Sequence, residues 1–253
     1  MKKVLAAALI CAASSFAAWD YFPVIEYGKG EAKIGFSLSR QGDYHRGGEA
    51  GTGTDFRIRY SPLANLEFMS TYVDANYVLG ARYQVIPVLS AGVDIGFPII
   101  TPAWSFTPNI QFSMPLTDAL ALGSNIEVTI NTEESYGQDG RGSKSQNKVT
   151  EGMDLSAGVE LDLTLGKSTI WVSCDINTGL TASKVDGKVG KGPDGKDLAA
   201  KDEGRGLEIV PTLGYIATVG NLALGTSFGM EFGKDAGHEN FNTIIGVDFS
   251  LKF

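Results

Sequence analysis

The residues able to carry chemistry are few. His45 and His238 are the two imidazoles of the chain, with Asp43 near the first and Glu239 beside the second. A carboxylate beside an imidazole is a legitimate general-base arrangement, yet such pairs also arise by chance in polar loops. The segment from Asp186 to Asp197 sets glycine turns beside aspartates, as a calcium loop does. It lacks the alternating Asx ligands and closing glutamate of such a loop, and lysines interrupt it. There is no zinc spacing, phosphate loop or nucleotide fingerprint. No cofactor and no catalytic residue are expected, and the chain is expected not to be an enzyme. A different set of charges is spaced by twos: Asp55, Arg57 and Arg59; Arg82; Asp94; Glu127; Asp154, Glu160 and Asp162; Glu231. Residues two apart share one face of a strand, so these are candidates for a charged lining that sorts ions or solutes.

The elements that must hold such a lining are strands. From Met153 to Leu165 every second residue is apolar (Met153, Leu155, Ala157, Val159, Leu161, Leu163, Leu165), with Asp154, Ser156, Gly158, Glu160, Asp162 and Thr164 between them. Similar alternation predicts twelve strands, at 31–40, 54–61, 66–73, 76–86, 89–98, 105–114, 119–131, 152–165, 169–180, 207–218, 222–233 and 241–253. Most suit the roughly 9–11 residues of a tilted membrane strand better than the roughly 5–6 of a soluble sheet. Connections alternate in length. Tight turns fall at 61–65, 86–88, 115–118, 166–168 and 219–221. Between them lie mostly longer polar connections at 41–53, 99–104, 132–151, 181–206 and 234–240, with 74–75 the short exception. Short turns on one side and long loops on the other distinguish a membrane barrel from a sandwich with irregular loops.

The two ends of the sequence point the same way. Lys2 and Lys3 precede an apolar stretch from Val4 to Cys11, and small residues follow to Ala17, the pattern of an export signal cut after Ala17. The expected organisation is a signal peptide over 1–17, a lead-in over 18–30 and a β-barrel domain over 31–253. Cleavage removes Cys11 and leaves Cys174 alone, so no intrachain disulfide is expected. Net charge is −8; losing Lys2 and Lys3 makes it more acidic, which argues against a nucleic-acid partner. The final strand alternates Thr243, Ile245, Val247, Phe249, Leu251 and Phe253 with Ile244, Gly246, Asp248, Ser250 and Lys252. It resembles the C-terminal assembly signal of Gram-negative outer-membrane β-barrel proteins. That resemblance implies an outer-membrane location, the lipid bilayer and the barrel-assembly machinery as partners, and Phe249, Leu251 and Phe253 as the recognised elements. Gly246 lies further from the end than the glycine of that signal. A serine–histidine hydrolase of the same class would show His-x-Ser, whereas Gly47 and Asn240 stand two residues beyond His45 and His238.

The fold expected is therefore an all-β, closed, antiparallel, up-and-down transmembrane barrel of about twelve strands. A membrane barrel turns its apolar register outward and its polar register inward. The inward register carries Asp55, Glu67, Asp94, Glu127, Asp154, Glu160, Asp162, Asp175, Glu208, Glu231 and Asp248, against Lys33, Arg57, Arg59, Arg82 and Lys252. Such an acidic excess favours cations in a channel. The expected function is a porin-like channel or transporter for small solutes with a cation-leaning lumen. Two alternatives stay open: a non-conducting barrel with a structural or surface-binding role, acting through its loops 132–151 and 181–206, and a barrel hydrolase with Asp43, His45, His238 and Glu239 at its rim.

Overall fold

The computed structural model describes residues 26–42, 50–73, 76–99, 104–131, 134–137, 147–150, 153–180, 184–186, 207–235 and 238–253. The expected signal peptide and most of the lead-in lie outside them, as do Asp43 and His45; of His238 and Glu239 only the backbone is described. The strands in chain order begin with β1 (Gly30–Gly42), β2 (Ala50–Leu63), β3 (Leu66–Val73), β4 (Asn76–Ile86) and β5 (Leu89–Pro98). Next come β6 (Ser105–Pro115), β7 (Leu120–Asn131), β8 (Glu134–Gly137), β9 (Asn147–Thr150), β10 (Met153–Leu165) and β11 (Ser168–Gly179). The series ends with β12 (Lys184–Asp186), β13 (Glu208–Val219), β14 (Leu222–Asp235) and β15 (His238–Lys252).

All but β8, β9 and β12 form one closed antiparallel barrel, in the order β1-β15-β14-β13-β11-β10-β7-β6-β5-β4-β3-β2. Each barrel strand pairs with its neighbours in the chain, and β1 closes on β15 from Glu31↔Lys252 to Gly42↔Phe241. Backbone bonds between Gly30 and Phe253 finish that seam, Gly30 N–H donating to Phe253 C=O (2.7 Å) and Phe253 N–H to Gly30 C=O (2.9 Å). Closure leaves no edge strand, which the bilayer would penalise. The three short strands form a separate sheet, β12-β9-β8. They lie in the two segments expected to be long polar loops, so those connections carry pairing of their own.

The tight turns gather at one end of the barrel. Gly166 and Gly220 adopt left-handed φ values of 65° and 62°, and Asn65 of 63°, as two-residue hairpin loops demand. Ser61, fully buried, donates its hydroxyl to Leu63 C=O and Leu66 C=O at 2.9 Å each and ties the β2–β3 turn.

Burial alternates along the strands in the sense opposite to a soluble protein. Ile34, Phe36, Leu38, Phe56, Ile58, Leu79, Ile110, Ile126, Val172, Leu213, Phe228 and Ile245 are exposed on the outside. Lys33, Asp55, Arg59, Glu67, Arg82, Glu160, Asp162 and Asp248 are buried on the inside. Aromatic rings border the outer belt at both ends, with Tyr60, Tyr83 and Tyr215 toward the turns and Trp104 and Tyr77 toward the loops. Tyr72 and Tyr77 meet at a tilt of 52° with ring centroids 5.0 Å apart, and Phe97 meets Trp104 edge-on at 4.5 Å. Cys174 stands in the outer register of β11 between Val172 and Ile176.

Candidate functional site

The interior wall is the one surface on which the spaced charges meet. Asp55, Arg59, Arg82, Glu160, Asp162 and Glu231 are buried, while Arg57, Asp94, Glu127 and Asp154 are partly so. All ten belong to the inward register of their strands, and Phe249, Leu251 and Phe253 to the exposed outer one.

Their heights follow from the pairing register. Partners of Glu160 run through Ser173, Thr212, Gly229, Ile244 and Ser39 to Gly51, climbing from near the turn end of β10 to the loop end of β2. In the other direction they run through Gly123 and Ser113 down to Val88, at the turn end. Continued to β2, the two paths miss by about 16 residues; with twelve strands this implies a tilt of about 45° and a backbone diameter of about 25 Å. A level ring therefore steps toward the turn end by about four residues for every three strands crossed in the first direction. Drawn through Glu160 and Asp162, it meets Trp171, Gly214, Gly225, Asp248, Lys33, Arg59, Glu67 and Arg82. Most of the buried charges thus form one girdle nearer the turn end, with Asp55, Asp175 and Glu231 above it.

Side-chain contacts follow the same contour. Arg59 donates from Nε (2.8 Å) and Nη2 (2.5 Å) to Glu31 Oε2. Its Nη1 lies 3.7 Å from Glu67 Oε2, and Glu67 Oε1 lies 3.6 Å from Arg82 Nη1. The result is an acid–base–acid–base ladder across β1, β2, β3 and β4. Lys33 Nζ reaches Asp248 Oδ1 at 3.9 Å across the closing seam. Lys33 also stands directly opposite Arg57 in the register, so two cations are juxtaposed on β1 and β2 with Glu31 and Arg59 around one crevice.

The far wall differs in charge and shape. β10 is separated from β2 by five strands in either direction, so Glu160 and Asp162 face Arg57 and Arg59 across the barrel. Asp162 pairs in register with Trp171. The indole lies flat against Gly214 of the next strand, where an added Cβ would stand 2.1 Å from the ring. Asp94 similarly overlies Gly80, and Asp248 overlies Gly225. Inward glycines let large neighbours lie along the wall. Higher up, Asn109 donates to Asp94 Oδ2 (2.8 Å), and Asn177 donates to Glu208 Oε2 (3.2 Å).

Sequence reasoning missed two residues of this girdle. Glu31 shares the parity of Lys33 but begins its strand, and Trp171 occupies a polar register that reads as aromatic strand filler. Parity alone would have found both. Among the described residues, no group of three or more His, Cys, Asp or Glu could hold a metal ion.

No protein-family model and no curated protein matches the chain. In fold it is similar to an outer membrane channel from Pseudomonas putida F1, with a TM-score of 0.69 at 10% identity over 93% of this chain and 98% of that one. Looser likenesses are the NanC porin (TM-score 0.49, 11% identity, 85% of this chain and 98% of that one) and the KdgM porin in complex with disordered oligogalacturonate (0.45, 13%, 86% and 98%). The first of these likenesses gives the chain the fold of an outer-membrane channel barrel.

Proposed function

We propose that this protein is an outer-membrane channel that passes small hydrophilic solutes through a lumen favouring cations. The observation that carries the reading is the inverted polarity of a closed barrel: an apolar, aromatic-bordered outer belt around a charged interior. A soluble protein would have no use for so much exposed apolar surface. Among the described residues, twelve inward acids, the eleven expected ones and Glu31, stand against five inward bases, and rings of carboxylates attract cations into a pore. Export by the N-terminal signal, and recognition of Phe249, Leu251 and Phe253 by the barrel-assembly machinery, belong to the same reading.

The test is planar-bilayer recording of the purified barrel, with folding checked by the mobility difference between unboiled and boiled samples. Discrete conductance steps are expected. A folded barrel that never conducts would favour the non-conducting alternative.

A further inference from the structure

Solvent enters the barrel from both ends and is cut off at the girdle. On the turn side, inward-facing Thr164 is exposed, and Ser113 and Ala121 are half-buried. On the loop side, Asp94, Asn125, Glu127, Asp154 and Ser156 are half-buried. Between these levels the inward face is dry. Glu67 and Glu160 are 1% exposed and Trp171 2%, and Arg59, the most accessible charge of the girdle, reaches only 8%. Past Arg82 the level contour returns to Glu160 by way of Ser90, Gln111 and Gly123, and these are buried too. A water-filled passage wets the side chains that border it. A contour buried from strand to strand therefore marks a level at which the lumen is shut.

Resting on the channel reading above, we infer that the girdle is a gate. This structure is its shut form, held by the ladder from Glu31 through Arg59 and Glu67 to Arg82, and solutes pass only when the ladder parts. Ion pairs suit such a device. Taking charges out of water is expensive, and the hydration they regain on wetting offsets the attraction they lose on parting. Shut and open forms then differ by little, and a minor open form stays populated. An apolar plug would regain nothing from water on opening.

Two measurements test the gate. In planar bilayers the wild-type barrel is expected to be open for less than about a tenth of the time. Glu67→Ala combined with Arg82→Ala removes a complete pair from the ladder and should leave the pore open for most of it. A wild-type barrel that stays open would overturn the inference, as would a folded double variant that opens no more often than the wild type. Thiol access locates the barrier. In a Cys174→Ser background, Ser156→Cys above the girdle and Thr164→Cys below it should react with a small water-soluble thiosulfonate at least about tenfold faster than Ser90→Cys within it. Equal rates at the three levels would overturn the inference, and they decide alone if the double variant does not fold. No current from either barrel in its folded form would instead overturn the channel reading itself.

Discussion

Glu31 is the end of a chain of charges, and its removal shows what the chain is worth. Without its carboxylate, Arg59 keeps one distant partner in Glu67 and is otherwise a buried cation. Breaking such a pair from one side costs more than never having built it. Glu31→Gln is expected to destabilise the folded barrel by about 3 kcal/mol, read as a lower melting temperature of the gel-mobility difference. Adding Arg59→Gln should recover part of that loss; a double variant less stable than the single one would contradict the ladder. Gly214 makes a different point, about space. A methyl group there meets the Trp171 ring at 2.1 Å, so Gly214→Ala must push the indole off the wall toward the lumen. Single-channel conductance is expected to fall, and Trp171→Ala in the same chain should restore it. An unchanged conductance in Gly214→Ala would mean that the ring does not border the path.

The strands themselves were legible to within a few residues at most boundaries, because period-two alternation is a local property. The segment expected at 66–73 is β3 over Leu66–Val73, and that expected at 76–86 is β4 over Asn76–Ile86. β2 and β15 begin earlier than the alternation indicated, at Ala50 and His238, because their first residues are glycine-rich or polar and carry no hydrophobic signal. The β8–β9–β12 pairing was hidden for the same reason: it joins two polar segments distant in sequence. The girdle could not be read from the sequence. Placing Glu160 level with Arg59 requires the shear of the sheet, a sum over every inter-strand register that no single strand contains. What one strand does contain is the facing of its side chains, and neighbouring residues test it. Val172→Arg puts a charge in the outer belt and should cost about 2–4 kcal/mol. Ser173→Arg, directly across from Glu160 in the register, should cost less, because the inward face supplies a carboxylate partner. Equal costs would mean that the two faces of β11 are misassigned.

At the scale of the whole molecule, the closed barrel, its apolar exterior and its charged interior describe one device. In the proposed channel, closure satisfies the backbone within the bilayer and leaves the side chains to determine what passes. The exterior holds the barrel in lipid, and the interior carries an excess of carboxylates whose strongest concentration of charge lies at a single level. A pore so lined should discriminate between the ions of a salt, whatever organic solute it also admits. The direct measurement is the reversal potential of the reconstituted wild-type protein under a potassium chloride gradient. A potential displaced toward that of potassium is expected. A displacement toward that of chloride, or a folded barrel with no current to measure, would contradict the reading of this protein as a cation-leaning channel.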